Sequence, residues 1–175
     1  MPLADRMRMA AAGAVGALDF HTIISDASLT TNLEFCLDAA SSDSYSGSGQ
    51  KWLDLTSNGI DFYLGGSGAS ASDDPTFNGT AGDMTSAEYW SFDGGDFFKY
   101  DGGSGNEAWM NTLHKDNAIW SACMVIYPKA SSADNVLLST TEGGASQKGV
   151  EWMMRSDEKL EINIYKGGGA TGFST

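Results

Sequence analysis

The sequence predicts an all-β fold: an antiparallel β-sandwich of the jelly-roll type, with an extended N-terminal arm. Three observations predict it. Glycine stands at 22 of 175 residues, close to twice its usual share, and serine, aspartate and threonine are also frequent. That is the composition of short strands joined by many turns. No long stretch carries apolar residues at helical spacing. Apolar runs of strand length recur instead between turn signals, about eight in all, as two stacked antiparallel sheets require.

The elements follow in order. Residues 1–32 form the arm, in which small residues dominate and Phe20, Ile23 and Ile24 are the few large apolar groups. Such a segment cannot bury enough surface to order itself, so it is expected to dock on a partner. Residues 33–175 form the β-module. Leu33 to Ala39 reads as its first strand, and Ser41 to Gln50 as a loop. Lys51 to Leu55 precedes the turn signal Ser57-Asn58-Gly59, and Phe62 to Leu64 is a short strand. Gly65 to Asp74 is a loop ended by Pro75. Tyr89 to Phe92 and Phe97 to Tyr100 flank Asp93-Gly94-Gly95-Asp96 as an expected hairpin. Ala108 to Leu113 fits one helical turn.

Ile119 to Tyr127 is the strongest strand signal. Both of its faces are largely apolar, which predicts a central strand between two layers, ended by Pro128. Val136 to Ser139, Val150 to Arg155 and Leu160 to Tyr165 complete the series. In the last, Leu160, Ile162 and Ile164 alternate with Glu161, Asn163 and Tyr165, as in a strand with one wet face. Gly167 to Gly169 breaks the pattern.

The formal net charge is −13 and the isoelectric point about 4.2. A field of that sign repels nucleic acid and anionic lipid, which argues against both as partners. Most of the acids read as a solvated surface. Cys36 and Cys123 each sit in an apolar run, and free buried thiols are the favoured reading; a disulfide would need the two strands to be neighbours. No Cys or His metal spacing occurs. Residues 1–18 superficially resemble a signal peptide, but their apolar run is built of Ala and Gly, and Asp5 sits among the basic residues. The run is also too short and mild to span a bilayer.

A resemblance joins these pieces. The run Leu37-Asp38-Ala39-Ala40, Tyr45 to Gly49, Trp52-Leu53-Asp54-Leu55 and Asn58-Gly59 resembles the opening of concanavalin A-like, laminin-G-type domains. Pro75-Thr76-Phe77, Tyr89 to Asp96 and Ile119 to Ile126 continue it, over about 130 residues taken together. The resemblance implies a lectin-like sandwich of the kind common in phage and bacterial surface proteins. Such domains continue past the strand that Leu160 to Tyr165 resembles, so the module is expected to be incomplete at its C-terminal side. The start of the arm, Ala4-Asp5-Arg6, with Arg8, Ala12 and Gly13, faintly resembles the N-termini of phage fibre and minor structural proteins.

Candidate sites are few. Asp93, Asp96 and Asp101 cluster around Gly-rich turns, where loop oxygens suit calcium, although Asp also caps turns through its own backbone bonds. Asp73 and Asp74 are a weaker calcium candidate. Tyr45 and Trp109 sit in loops and are the candidate glycan platform, whereas Trp52, Trp90, Trp120 and Trp152 belong to strand-like runs and to the core. His21 and His114 lack any nucleophile context. Glu34, Glu88, Glu107, Glu142, Glu151 and Glu161 are scattered, without the Glu-x-Asp-x-x-Glu strand of jelly-roll glucanases. The Gly-rich loops lack the Lys-Ser/Thr of a phosphate loop.

These readings favour a virion structural protein with no catalytic site and no resident cofactor, calcium apart: a phage tail fibre, or a head fibre or decoration. Its arm would dock on other virion proteins, its module would meet a host-surface glycan, and the chain is expected to form a homo-oligomer. The alternatives are a secreted or cell-surface carbohydrate-binding adhesion module and a glycoside hydrolase.

Overall fold

The computed structural model describes residues 18–84, 87–103, 108–114, 117–129, 132–141, 148–166 and 170–174. Its described strands form three small antiparallel sheets, accompanied by one α-helix and one 3₁₀ helix. The all-β expectation is met at this level. The chain divides into two compact units, residues 1–104 and 105–175. Most of the arm, the Gly167 to Gly169 break and the side chain of His114 lie outside the described residues.

In the first unit, α1 (Phe20–Asp26) is started by Asp19, whose carboxylate accepts from the Thr22 N–H at 2.6 Å. It ends in a Schellman motif. The Ser28 N–H donates to the Ser25 carbonyl and the Leu29 N–H to the Ile24 carbonyl, with Ser28 left-handed at φ 60°. The run from Leu33 to Ala39, expected as a strand, joins no sheet. A side chain and a single backbone bond tie it down instead: the Cys36 N–H donates to Asp54 Oδ1, and the Leu55 N–H to the Cys36 carbonyl.

β1 (Lys51–Trp52), β2 (Phe62–Leu64) and β5 (Phe98–Tyr100) form one sheet in the order β1-β2-β5. Its register puts Trp52, Phe62 and Tyr100 abreast, with Leu64 and Phe98 on the same face. Lys51, Tyr63 and Lys99 take the other face. β3 (Thr76–Asn78) pairs with β4 (Tyr89–Ser91), setting Phe77 opposite Trp90. The two sheets meet through their aromatic rings. Trp90 lies 5.7 Å from Trp52, 5.2 Å from Phe98, 5.3 Å from Phe77 and 4.6 Å from Tyr45, all tilted or edge-on.

The expected hairpin across Asp93 to Asp96 is corrected. β4 and β5 flank that turn, but they pair with different strands, so the turn is a corner at which the chain changes sheet. Carboxylates close it: the Asp93 N–H donates to Asp96 Oδ2 and the Gly95 N–H to Asp93 Oδ1. Gly65, at φ +71°, shows why a loop here demands glycine, since a Cβ would stand 2.6 Å from Asp74 Oδ1.

In the second unit, β6 (Asn135–Ser139), β7 (Lys148–Met154), β8 (Leu160–Lys166) and β9 (Ala170–Ser174) form one antiparallel ladder in chain order. β9 was not legible in the sequence. A bulge between Val136 and Leu138 interrupts β6. Val150, Trp152, Ile162 and Ile164 share one face, and Glu151, Glu161, Asn163 and Tyr165 the other. The 3₁₀ helix (Ala108–His114) packs against β7. Trp120 stacks on Trp152, with centroids 6.1 Å apart.

Two expectations are overturned here. Ile119 to Tyr127 is not a central strand: it joins no sheet among the described residues, and Ile119, Val125 and Tyr127 are 94%, 93% and 90% exposed. Nor is the wet face of β8 the polar one. Asn163 is buried, whereas Leu160 and Ile164 are 38% and 45% exposed and Val150, paired with Ile164 on the apolar face, is buried.

Candidate interaction surface

The residues expected to dock on a partner divide. Phe20 is exposed, but Ile23 and Ile24 are half-buried. The Phe20 N–H donates to Asp38 Oδ2 at 2.8 Å, so this end of the arm is held on its own chain. Beside it opens a polar groove of about 730 Å³, lined among others by His21, Ser25, Asn32, Glu34, Thr56 and Asn58. Much of its polar capacity is already used. Asn58 Nδ2 donates to the Leu33 and Glu34 carbonyls, and Thr56 Oγ1 to Asp54 Oδ2. Asp54 also accepts from the N–H groups of Cys36, Thr56 and Ile60. It is a knot that fixes the Leu55 to Ile60 turn.

The glycan platform is corrected at Tyr45. Tyr45 is 6% exposed, packed between Phe77 and Trp90, and burial followed by the Asp74 charge pushes its phenol up. A ring inside the core offers no face to a sugar. Trp109 sits in the 3₁₀ helix and is half-buried. Of the tryptophans assigned to the core, Trp52 and Trp90 lie in the aromatic cluster and Trp152 lies under Trp120.

The calcium trio is also not assembled. Asp93 and Asp96 cap the corner, and loss of surrounding water, then the Asp93 charge, holds Asp96 above the usual carboxylate range. Asp101 is taken by Lys51 at 2.5 Å. Asp73 and Asp74 close the Gly65 loop, accepting from the Gly66 and Ala71 N–H groups. Among the described residues, no three His, Cys, Asp or Glu side chains are grouped to hold a metal ion. Cys36 and Cys123 are both free thiols, the first buried and the second exposed.

Sequence reasoning missed a polar cluster on the second unit's sheet. Tyr165 Oη donates to Glu151 Oε2 at 3.0 Å, Asn163 Nδ2 to Glu161 Oε1 at 2.8 Å, and Arg155 stands 3.5 Å from Glu161. Burial, then the bond to Glu151, pushes the Tyr165 phenol up. Two carboxylates that looked scattered in the sequence share one face, because Glu151 pairs with Asn163 two residues from Glu161. The period-two alternation in β8 was the available signal.

The remaining feature is the exposed run Ile119 to Tyr127. It holds five large apolar side chains besides Trp120 and no charge. None of its backbone groups is hydrogen-bonded to another described residue. Monomeric proteins rarely leave such a stretch bare, and open backbone beside apolar side chains is what strand partners pair with. No protein-family model, curated protein or solved structure matches the chain.

Proposed function

We propose that this chain is a non-enzymatic structural protein of a virion, a tail fibre or a head fibre or decoration, that works by association with other protein chains and presents a β-module for attachment. One observation carries the reading: nine consecutive residues, Ile119 to Tyr127, with no charge, no backbone partner among the described residues, and outward side chains almost wholly exposed. Such a surface costs solubility unless a partner covers it. The virion setting rests on the sequence resemblance to phage surface modules, and the finer jelly-roll arrangement belongs to the same proposal. Quantitative mass spectrometry of purified virions tests it. The chain is expected in stoichiometric amount, and deletion of 119–127 should deplete it from particles. A chain absent from virions overturns the setting, and undiminished incorporation of the deletion overturns the role of the run.

A second reading, hydrolysis of a glycosidic bond, is favoured by Glu151 and Glu161 on one sheet face. Against it, both carboxylates are held by Tyr165, Asn163 and Arg155. Reducing-sugar release from a polysaccharide panel, abolished by Glu161→Gln, would establish it; release that Glu161→Gln leaves unchanged would remove it.

A further inference from the structure

We infer that Asn58 is the site of a spontaneous covalent modification: its side-chain amide is hydrolysed through a cyclic imide formed with the Gly59 nitrogen, and the change unties Leu33 and Glu34 from the turn that holds them. The inference goes beyond the association reading above and does not depend on it.

The sequence offers two sites of this kind, Asn58-Gly59 and Asn78-Gly79. With glycine after asparagine, no Cβ obstructs the approach of the following backbone nitrogen to the side-chain carbonyl carbon. The structure separates the two. Asn58 is exposed and lies in a turn, with Gly59 left-handed at φ 68°. The Gly59 N–H donates to no described residue, so the attacking nitrogen gives up no bond. Nothing stands within 4 Å of the place that a Cβ on Gly59 would take, so the turn has room to rotate. Asn78, by contrast, is half-buried in β3 and paired with Tyr89. Its Nδ2 donates to Ser91 Oγ on β4 at 3.1 Å, and a Cβ on Gly79 would stand 2.7 Å from the Ala87 carbonyl oxygen. Ring closure at Asn78 therefore means breaking the β3–β4 pairing.

The chemistry balances with water alone. The Gly59 nitrogen loses its proton to solvent base and bonds to Asn58 Cγ. The Cγ–Nδ2 bond breaks, and Nδ2 takes up a proton and leaves as ammonia. Water then opens the imide ring at either carbonyl, giving aspartate or isoaspartate at position 58.

The consequence follows from what the amide holds. Asn58 Nδ2 donates to the Leu33 carbonyl at 3.0 Å and to the Glu34 carbonyl at 2.8 Å. An ionised carboxylate accepts and cannot donate. Both carbonyls thus lose that donor and face a negative charge instead. Leu33, Glu34, Ser57 and Asn58 also line the polar groove, so the modification opens the groove along this seam.

The test uses the full chain, held in mildly alkaline buffer and sampled over time by peptide mass spectrometry, with an isoaspartate-specific methyltransferase as second readout. In the folded chain the Asn58 peptide should convert about tenfold or more faster than the Asn78 peptide, the ratio that one extra hydrogen bond to break supplies. In urea the two should convert at similar rates, because the fold and not the sequence sets the choice. Asn58→Asp carries the product's charge from the start. It should speed amide exchange at Cys36 and Leu55, next to the untied carbonyls, about tenfold, while the Phe62–Tyr100 pairing keeps its protection. Conversion of Asn78 as fast as Asn58 in the folded chain, or an Asn58 that survives while the chain in urea converts, would overturn the site. Exchange at Cys36 and Leu55 that Asn58→Asp leaves unchanged would overturn the untying.

Discussion

The two units solve the problem of a short chain in opposite ways. The first has strands of two or three residues, too short to hold a sheet by ladder bonds alone. It is held by one aromatic cluster and by carboxylates that cap its turns. The second has strands of five to seven residues in one regular ladder, yet it leaves Leu160 and Ile164 partly exposed and Ile119, Val125 and Tyr127 almost wholly so. The first unit is closed by side chains. The second has satisfied much of its backbone and left part of its apolar surface open. A regular ladder is therefore no measure of completeness; what matters is whether its apolar face has a cover.

Substitutions break or sharpen this contrast. The largest effect is expected at Trp90, which touches four rings. Trp90→Ala should cost about 3–5 kcal/mol, and hydrogen exchange should accelerate across β1 to β5 while the β7–β8 ladder keeps its protection. Loss of protection in both units together would mean that they do not fold separately. Asp54→Ala removes the acceptor for three backbone N–H groups and should cost about 3 kcal/mol, read as a lower urea midpoint; a shift under about 1 kcal/mol would show that water replaces the carboxylate. Ser28→Gly should stabilise by about 0.5–1 kcal/mol, because a left-handed residue sheds its Cβ strain. In the second unit, Tyr127→Ser should change monomer stability by less than about 0.5 kcal/mol, since an exposed ring has little packing to lose.

The two cysteines give a finer contrast. Burial, then the Asp38 and Asp54 charges, pushes the Cys36 thiol up to about 11. Iodoacetamide at pH 8 should therefore modify Cys123 and spare Cys36. A thiol raised from 9.0 in the unfolded chain stabilises the fold fully below pH 9, and that contribution is lost as pH rises through 11. Thermal scans of wild type and Cys36→Ala should diverge below pH 9 and converge above 11; parallel curves across that range would refute the assignment.

Much of the fold was legible, and the failures share a cause. Period-two alternation located β8, a short apolar run located β7, and Ser57-Asn58-Gly59 marked a true turn. The hairpin at Asp93 to Asp96 was misread because turn chemistry specifies a change of direction, not which strands pair afterwards. Leu33 to Ala39 was misread because side-chain bonds from Asp54 stand where a ladder was expected. Ile119 to Tyr127 was read as a buried central strand, yet it joins no sheet among the described residues and is largely exposed, since composition reports what a segment needs and not whether its own chain supplies it. Tyr45 left the site list because a loop position does not imply exposure.

The corner at Asp93 to Asp96 has a kinetic consequence. Because the chain changes sheet there, Tyr100 must find Phe62 across the whole intervening segment before β5 can join its sheet. The second unit needs only neighbouring hairpins, which close in microseconds, whereas distant pairings wait on loop entropy. Pulse-labelled exchange should thus protect β7 and β8 before β2 and β5. The reverse order would contradict it. A newly made chain would then expose the run Ile119 to Tyr127 only after the slower unit had emerged from synthesis.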